Sequence, residues 1–207
     1  MMRYLRNVVL ILCAGLLAAP AVALAEAAAQ AGPTNDAAAE EKARKFFTDL
    51  EVVDQNGKQL RFYSDVLKGR VVLINFIFTN CPDACPMVTH KLMQVRNLMV
   101  ESIKDDVWFI SVSVDPERDT PELLGQYVDY FGDDNLAVTG QLEELTKLTS
   151  ALGIYFGKAP TEDGNYGVDH SAAVLVIDPK GEFMALFSAP HIVANYLHDL
   201  PIIMDSQ

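Results

Sequence analysis

Two predominantly apolar runs, Val71 to Phe78 (VVLINFIF) and Val107 to Val114 (VWFISVSV), frame this chain. Runs of β-branched and aromatic residues without a polar face predict central strands covered on both sides. Between and beyond them the apolar positions change period. Pro86 to Val100, Pro121 to Phe131 and Leu142 to Leu152 read as helices, the second with Thr120 as its N-cap and Pro121 at its first position. Upstream, Leu50 to Val53 and Leu60 to Tyr63 flank Asp54-Gln55-Asn56-Gly57, and an Asn-Gly pair between short β-rich runs predicts a hairpin. Downstream, Ala172 to Ile177 and Phe183 to Phe187 flank an Asp178-Pro179-Lys180-Gly181 turn, with a last helix near Ile192 to Asp199. The order β-α-β-α-α-β-β-α describes a single α/β domain, a mixed central sheet flanked by helices and preceded by an N-terminal β-hairpin.

The N-terminus has a different character. Met1 to Arg6 carries two arginines and no acid, Val8 to Ala25 is uncharged and almost wholly apolar, and Ala23-Leu24-Ala25 has the small-x-small form of a signal cleavage site. Residues 1–25 therefore read as a secretory signal. An uncleaved anchor, tethering the protein to the membrane through residues 8–25, is the alternative, because that run sits at the lower limit for a spanning helix. Pro20 and the alanine-rich end favour cleavage. Residues 26–44, rich in alanine with Gly32, Pro33 and Asn35 and without apolar periodicity, predict a flexible linker, which leaves 45–207 as the folded domain. Both alternatives place that domain outside the cytoplasm, periplasmic or anchored to the inner membrane and facing the periplasm.

Composition narrows the chemistry. The 207 residues include 16 Lys+Arg against 28 Asp+Glu, a formal charge of −12, with no basic tract to neutralise phosphates. Nucleic-acid binding is thereby excluded. Three cysteines, at positions 13, 81 and 85, cannot form a disulfide framework in a chain of this length. Loss of the leader would remove Cys13 and leave one pair.

That pair lies in Cys81-Pro82-Asp83-Ala84-Cys85-Pro86, directly after the first buried strand. Pro86 suits the first position of a helix, which places Cys85 at the N-cap and Cys81 on the loop before it. Free N–H groups and the positive end of the helix dipole then predict a lowered thiol pKa. Two inert buried thiols and a structural disulfide are the other readings; so short a loop returns little entropy when closed. The spacing is one residue longer than the C-x-x-C of dithiol oxidoreductases. A second feature, Asp169-His170-Ser171, puts His170 on the loop entering the strand at Ala172. These three are not a catalytic triad, since neighbours along an extended chain point to opposite sides. Taken alone, His170 reads more readily as a surface or capping residue than as a ligand.

Taken together, FIFTNCPDACP at 76–86, SVDPERDTPE at 113–122 and YGVDHSAAVLVIDPKGEF at 166–183 resemble the Sco/SenC family of copper proteins. The resemblance runs from about residue 46 to the last helix, and the combination of C-P-x-x-C-P with D-H-S is specific. It implies a thioredoxin-like fold and one copper ion per chain held by Cys81, Cys85 and His170. Two thiolates and an imidazole form a soft set suited to Cu(I), and the imidazole lets it accept Cu(II) as well. Zinc would prefer a fourth ligand and iron-sulfur clusters more cysteines. Asp115 and Asp119 fall at the same carboxyl edge of the sheet; Asp115 is a candidate for orienting a ligand or assisting transfer, with turn formation as the other role of both. His90, His191 and His198 read as surface residues, and Met87, Met93 and Met99, spaced by six, as core filler.

The resemblance implies copper delivery to the dinuclear copper centre of cytochrome c oxidase, with the copper-centre subunit, other copper chaperones and thiol reductants as partners. A thiol-disulfide oxidoreductase, with Cys81 and Cys85 as its redox pair, and a copper or redox sensor are the rival readings. Against the reductase stand the longer loop and His170, a ligand where such enzymes carry a substrate-docking proline.

Overall fold

The structure is a computed structural model that describes residues 35–82, 84–132, 135–162 and 165–205. The expected signal segment lies outside the described residues. The expected linker does so only in part: Asn35–Phe46 is a helix, α1. From Ala39 onward the chain forms one compact unit, and Ala43 and Phe47 are buried in its core. Alanine and glutamate are strong helix formers, and Phe47, the residue just after the helix, donates its N–H to the Ala43 carbonyl at 2.9 Å. The burial of both is what a reading from low complexity alone overlooks.

β1 (Glu51–Asp54) and β2 (Gln59–Arg61) form the expected hairpin. Its loop is closed by the Asp54 carboxylate, which accepts the N–H groups of Asn56 and Lys58, each at 2.8 Å. Phe62–Leu67, expected to start as strand, winds instead into one π-helical turn that buries Phe62, Tyr63, Val66 and Leu67. Next come β3 (Val71–Ile77), α2 (Ala84–Leu98), a short α3 (Glu101–Lys104), β4 (Val107–Ser113) and α4 (Pro121–Phe131). Thr120 caps α4 as expected, its side chain accepting the Leu123 N–H at 3.3 Å.

Three strands were not expected. β5 (Asn135–Gly140) lies between α4 and α5 (Leu142–Ala151) and pairs in parallel with β4 and antiparallel with β1. Its sequence, NLAVTG, is short and half polar, so its strand character comes from the neighbours that complete its hydrogen bonds. β6 (Phe156–Pro160) and β7 (Tyr166–His170) form a separate two-stranded sheet. The chain ends with β8 (Val174–Ile177), β9 (Phe183–Phe187) and α6 (Val193–Asp205), which continues past the expected end because Ile203 and Met204 still pack on the core.

The large sheet runs β2-β1-β5-β4-β3-β8-β9 and is mixed, with β3, β4 and β5 parallel and β8 antiparallel to β3. All seven residues of β3 are buried. Val72, Ile74 and Phe76 face a core shared with Phe47, Phe62, Leu124 and Leu145; Val71 and Leu73 face a second core with Leu92, Val95, Tyr196 and Leu200. Alternation along the strand thus feeds two cores, the physical cause of the predominantly apolar runs. Because β3 and β4 are parallel, the residues after Ile77 and after Ser113 emerge at one edge of the sheet, where open α/β sheets present their sites.

Candidate metal centre

At that edge the loop after β3 carries Cys81, and the first turn of α2 carries Cys85. The helix begins at Ala84, so Cys85 is not the N-cap residue; Cys85 and Pro86 both lie in the first turn. Proline is tolerated there because the first N–H groups of a helix lack intrahelical partners. The orphan N–H of Cys85 is taken instead by Cys81 Sγ, at 3.4 Å.

Both cysteines stand as thiols, Cys85 buried and Cys81 half-buried. The expected lowering of the thiol pKa is not found at Cys85. Its hydrogen bond with the Cys81 side chain and its burial both push it up from the ordinary thiol value. A metal cation bound at Cys85 would take the place of that proton.

His170 closes the other side of the site. It is the last residue of β7 and not a loop residue, because β6 pairs with β7 through Phe156 and His170. Its Nε2 lies 3.4 Å from Cys85 Sγ. Nδ1 lies 3.1 Å from the Ser171 carbonyl oxygen, an acceptor, so Nδ1 donates there and Nε2 is the nitrogen turned toward the sulfur. Phe78 meets the imidazole edge-on, with ring centres 5.8 Å apart. The neighbouring Asp169 is exposed, as expected for the opposite side of the strand. Cys81, Pro82 and His170 line an open cleft of about 610 Å³ between the cysteine loop and β7. The three donors form a series of two contacts, and among the described residues no three His, Cys, Asp or Glu side chains form a closed metal-ligand cluster.

Asp115 and Asp119 are both buried at this edge and hold different segments of the site. Asp115 is buried, bonded to Arg118 Nε and to the Tyr166 hydroxyl, which donates to its Oδ1 at 3.0 Å. It reaches the His170 strand through Tyr166. Asp119 grips the cysteine side: Oδ1 accepts the Thr79 N–H at 3.0 Å and the Thr79 hydroxyl at 2.6 Å, while Oδ2 accepts the Ser113 hydroxyl at 2.6 Å. Burial raises its carboxyl pKa, opposed by these donors. Sequence reasoning missed Thr79 and Tyr166. Only Tyr166 left a signal, since positions 166, 168 and 170 share one face of an extended strand.

A buried polar ladder backs Cys85. Asn135 Nδ2 donates to Ser111 Oγ (3.0 Å), which donates to Asn75 Oδ1 (2.9 Å), and Asn75 Nδ2 donates to Thr89 Oγ1 (3.1 Å). Thr89 Oγ1 lies 2.6 Å from the Tyr127 hydroxyl, which reaches the Cys85 carbonyl at 3.5 Å. Of the remaining histidines, His90 and His198 are exposed and bond to Gln94 and Asp199. His191, expected at the surface, is buried; the Tyr196 hydroxyl lies 2.6 Å from Nδ1 and the Ala172 carbonyl 2.8 Å from Nε2. Met99 is buried and Met93 packs on the core, whereas Met87 is exposed.

Comparison with known proteins gives the family and the fold class. A family model described as SCO1/SenC matches residues 38–204. A SCO2-like protein of Rickettsia felis is 32% identical over 154 residues, covering 72% of this chain and 74% of the relative. Copper-bound ScoI of Bradyrhizobium japonicum superposes with a TM-score of 0.66 at 35% identity, covering 74% of this chain and 96% of that one. For copper-bound ScoI of Arabidopsis thaliana the values are 0.69, 28%, 76% and 97%. The fold is accordingly thioredoxin-like, as the resemblance implied.

Proposed function

The chain belongs to the SCO1/SenC family, and on that premise we propose that it is an extracytoplasmic copper-binding metallochaperone that takes one copper ion through Cys81, Cys85 and His170 and delivers it to the dinuclear copper centre of cytochrome c oxidase. The observation that carries this reading is the approach of His170 Nε2 to Cys85 Sγ at 3.4 Å, with Cys81 Sγ beside the Cys85 N–H at 3.4 Å. Copper-bound structures of two family members support copper as the cargo.

The residues divide the work by burial. Cys85, 2% exposed, is the anchor, and copper must displace its proton. Cys81, half-buried on the cleft, is the donor that turns toward the ion and the one through which a partner gains or gives it. His170 supplies an imidazole nitrogen oriented by the contact of Nδ1 with the Ser171 carbonyl, a donor type that suits Cu(II) as well as Cu(I). The leader at 1–25 would bring the domain to the periplasm, free or tethered through residues 8–25. No helix among the described residues is long and apolar enough to cross a membrane.

The reduced protein loaded anaerobically with Cu(I), and separately with Cu(II), tests the site. One copper per chain and a visible thiolate-to-Cu(II) absorption are expected, with His170→Ala losing that absorption. An unchanged spectrum in this variant would remove His170 from the ligand set. The thiol-reductase reading draws on the contact between the two cysteines, and a turnover assay separates it. Under that reading His170→Ala keeps dithiol activity while Cys81→Ser and Cys85→Ser lose it.

A further inference from the structure

The ligand-bearing segments belong to different sheets, the cysteines following β3 of the large sheet and His170 ending β7 of the small one. Something outside the ligands must set their spacing. Both are gripped by one turn, Asp115 to Asp119, which is closed on itself by the N–H groups of Arg118 and Asp119 donating to the Asp115 carbonyl at 3.0 and 2.9 Å.

At one end of the turn Asp119 holds the Thr79 N–H and hydroxyl, two residues before Cys81. At the other end Tyr166, first residue of β7, is latched in several ways. Its hydroxyl donates to Asp115 Oδ1 at 3.0 Å and its carbonyl accepts Arg118 Nη1 at 2.9 Å. Its ring is flanked by two cations, the Arg118 guanidinium 3.9 Å and the Lys158 ammonium 4.4 Å from the ring centre. Lys158 lies on β6 and pairs with Glu117 of the same turn, so both strands of the hairpin are tied to it. Asp115 is 2% exposed and Asp119 1%, so each acts in a medium where a charge-assisted hydrogen bond is strong and its loss is felt.

We propose that the Asp115–Asp119 turn is a yoke that sets the distance between the thiol loop and the imidazole, with Tyr166 and Thr79 as positioning residues. Release of the Tyr166 latch frees the β6–β7 hairpin and withdraws His170 while both thiols stay in place, changing a three-donor site into a two-donor one. This rests on the ligand assignment proposed above for the metal readout, though not for the metal-free one.

The test uses the full chain. In the metal-free protein, Tyr166→Phe is expected to speed amide hydrogen exchange at residues 166–170 about ten-fold, the lower end for a lost bond to a charged acceptor, and to leave β3 and β4 unchanged. Asp115→Asn, which keeps an oxygen acceptor and loses the charge, serves as a second variant with a smaller rise. With copper added, Tyr166→Phe is expected to weaken Cu(II) binding about ten-fold and Cu(I) binding less, because Cu(I) is satisfied by two thiolates. Unchanged exchange at 166–170 in both variants overturns the yoke. Faster exchange with an unaltered Cu(II) affinity and absorption overturns the positioning role. If His170→Ala itself leaves Cu(II) binding unaltered, the ligand assignment fails, and the exchange data still decide whether the turn holds the hairpin.

Discussion

His170 Nε2 stands 3.4 Å from Cys85 Sγ although 85 residues separate them in the chain. One side chain comes from a helix start and the other from a strand end; His170 lines the cleft beyond the carboxyl edge of β3 and β4, while Cys85 is buried. Their meeting has consequences for reactivity as well as for metal binding.

The two thiols are expected to react unequally. Cys85 is 2% exposed and its proton is held by burial and by Cys81, whereas Cys81 lies half-buried on the cleft. Since the thiolate is the reactive form, iodoacetamide at neutral pH should label Cys81 about ten-fold faster than Cys85, as read by peptide mass mapping. Equal rates would show that Cys85 opens to solvent more readily than its packing implies.

A pH dependence of stability should trace to His191. Burial lowers its pKa, with the nearby Lys91 charge acting in the same direction and the Ala172 carbonyl opposing. A histidine whose folded pKa lies below its ordinary value binds fewer protons folded than unfolded, so its contribution is intact above about pH 6.5 and is lost as pH falls below it. Denaturant midpoints of the metal-free protein should drop between pH 7 and pH 5. His191→Phe should flatten that part of the curve, and a slope unaltered by the substitution would assign the loss to other groups.

The helix before β1 is expected to be part of the folded unit. Phe47, 1% exposed, stacks on Tyr63 with ring centres 6.2 Å apart and meets Phe62 at 6.4 Å. Phe47→Ala should cost about 3–5 kcal/mol of unfolding free energy, the range for emptying a buried aromatic site. A loss under about 1 kcal/mol, within the range of ordinary surface changes, would mean that the segment is dispensable after all.

Gly181 offers a backbone test of the same contact. Its φ is +81°, and a Cβ there would stand 2.6 Å from Ala43 Cβ and 2.9 Å from Tyr63 Cε2. Gly181→Ala therefore combines a strained conformation with overpacking against α1. A destabilisation of about 1–3 kcal/mol is expected by chemical denaturation, with copper stoichiometry intact.

Much of this architecture was legible along the chain. VVLINFIF and VWFISVSV predicted β3 and β4 because burial on both faces makes most of their positions apolar. Thr120-Pro121 marked the start of α4 because capping is local chemistry. β5 and the β6–β7 hairpin went unread for the opposite reason. NLAVTG and FGKAP carry little pattern of their own, and they are strands because partners supply the missing hydrogen bonds. The same limit applied to the site. The C-P-x-x-C-P run is visible as a reactive pair, whereas no local pattern puts His170 on a strand or joins Asp115 to Tyr166, the residue through which it reaches that strand.

The sequence by itself determined the order of the central elements, the pairing of two cysteines at a helix start, and the family to which the motifs point. These depend on neighbours within a few residues, whose sterics and hydrogen bonds the chain order already specifies. Tertiary structure alone decided that Cys81 and burial push the Cys85 thiol pKa up, that His170 faces Cys85 from a second sheet, and that the turn at 115–119 grips both segments. Burial, long-range approach and the dielectric around a charge arise only when distant parts of the chain pack together, and no local pattern encodes them.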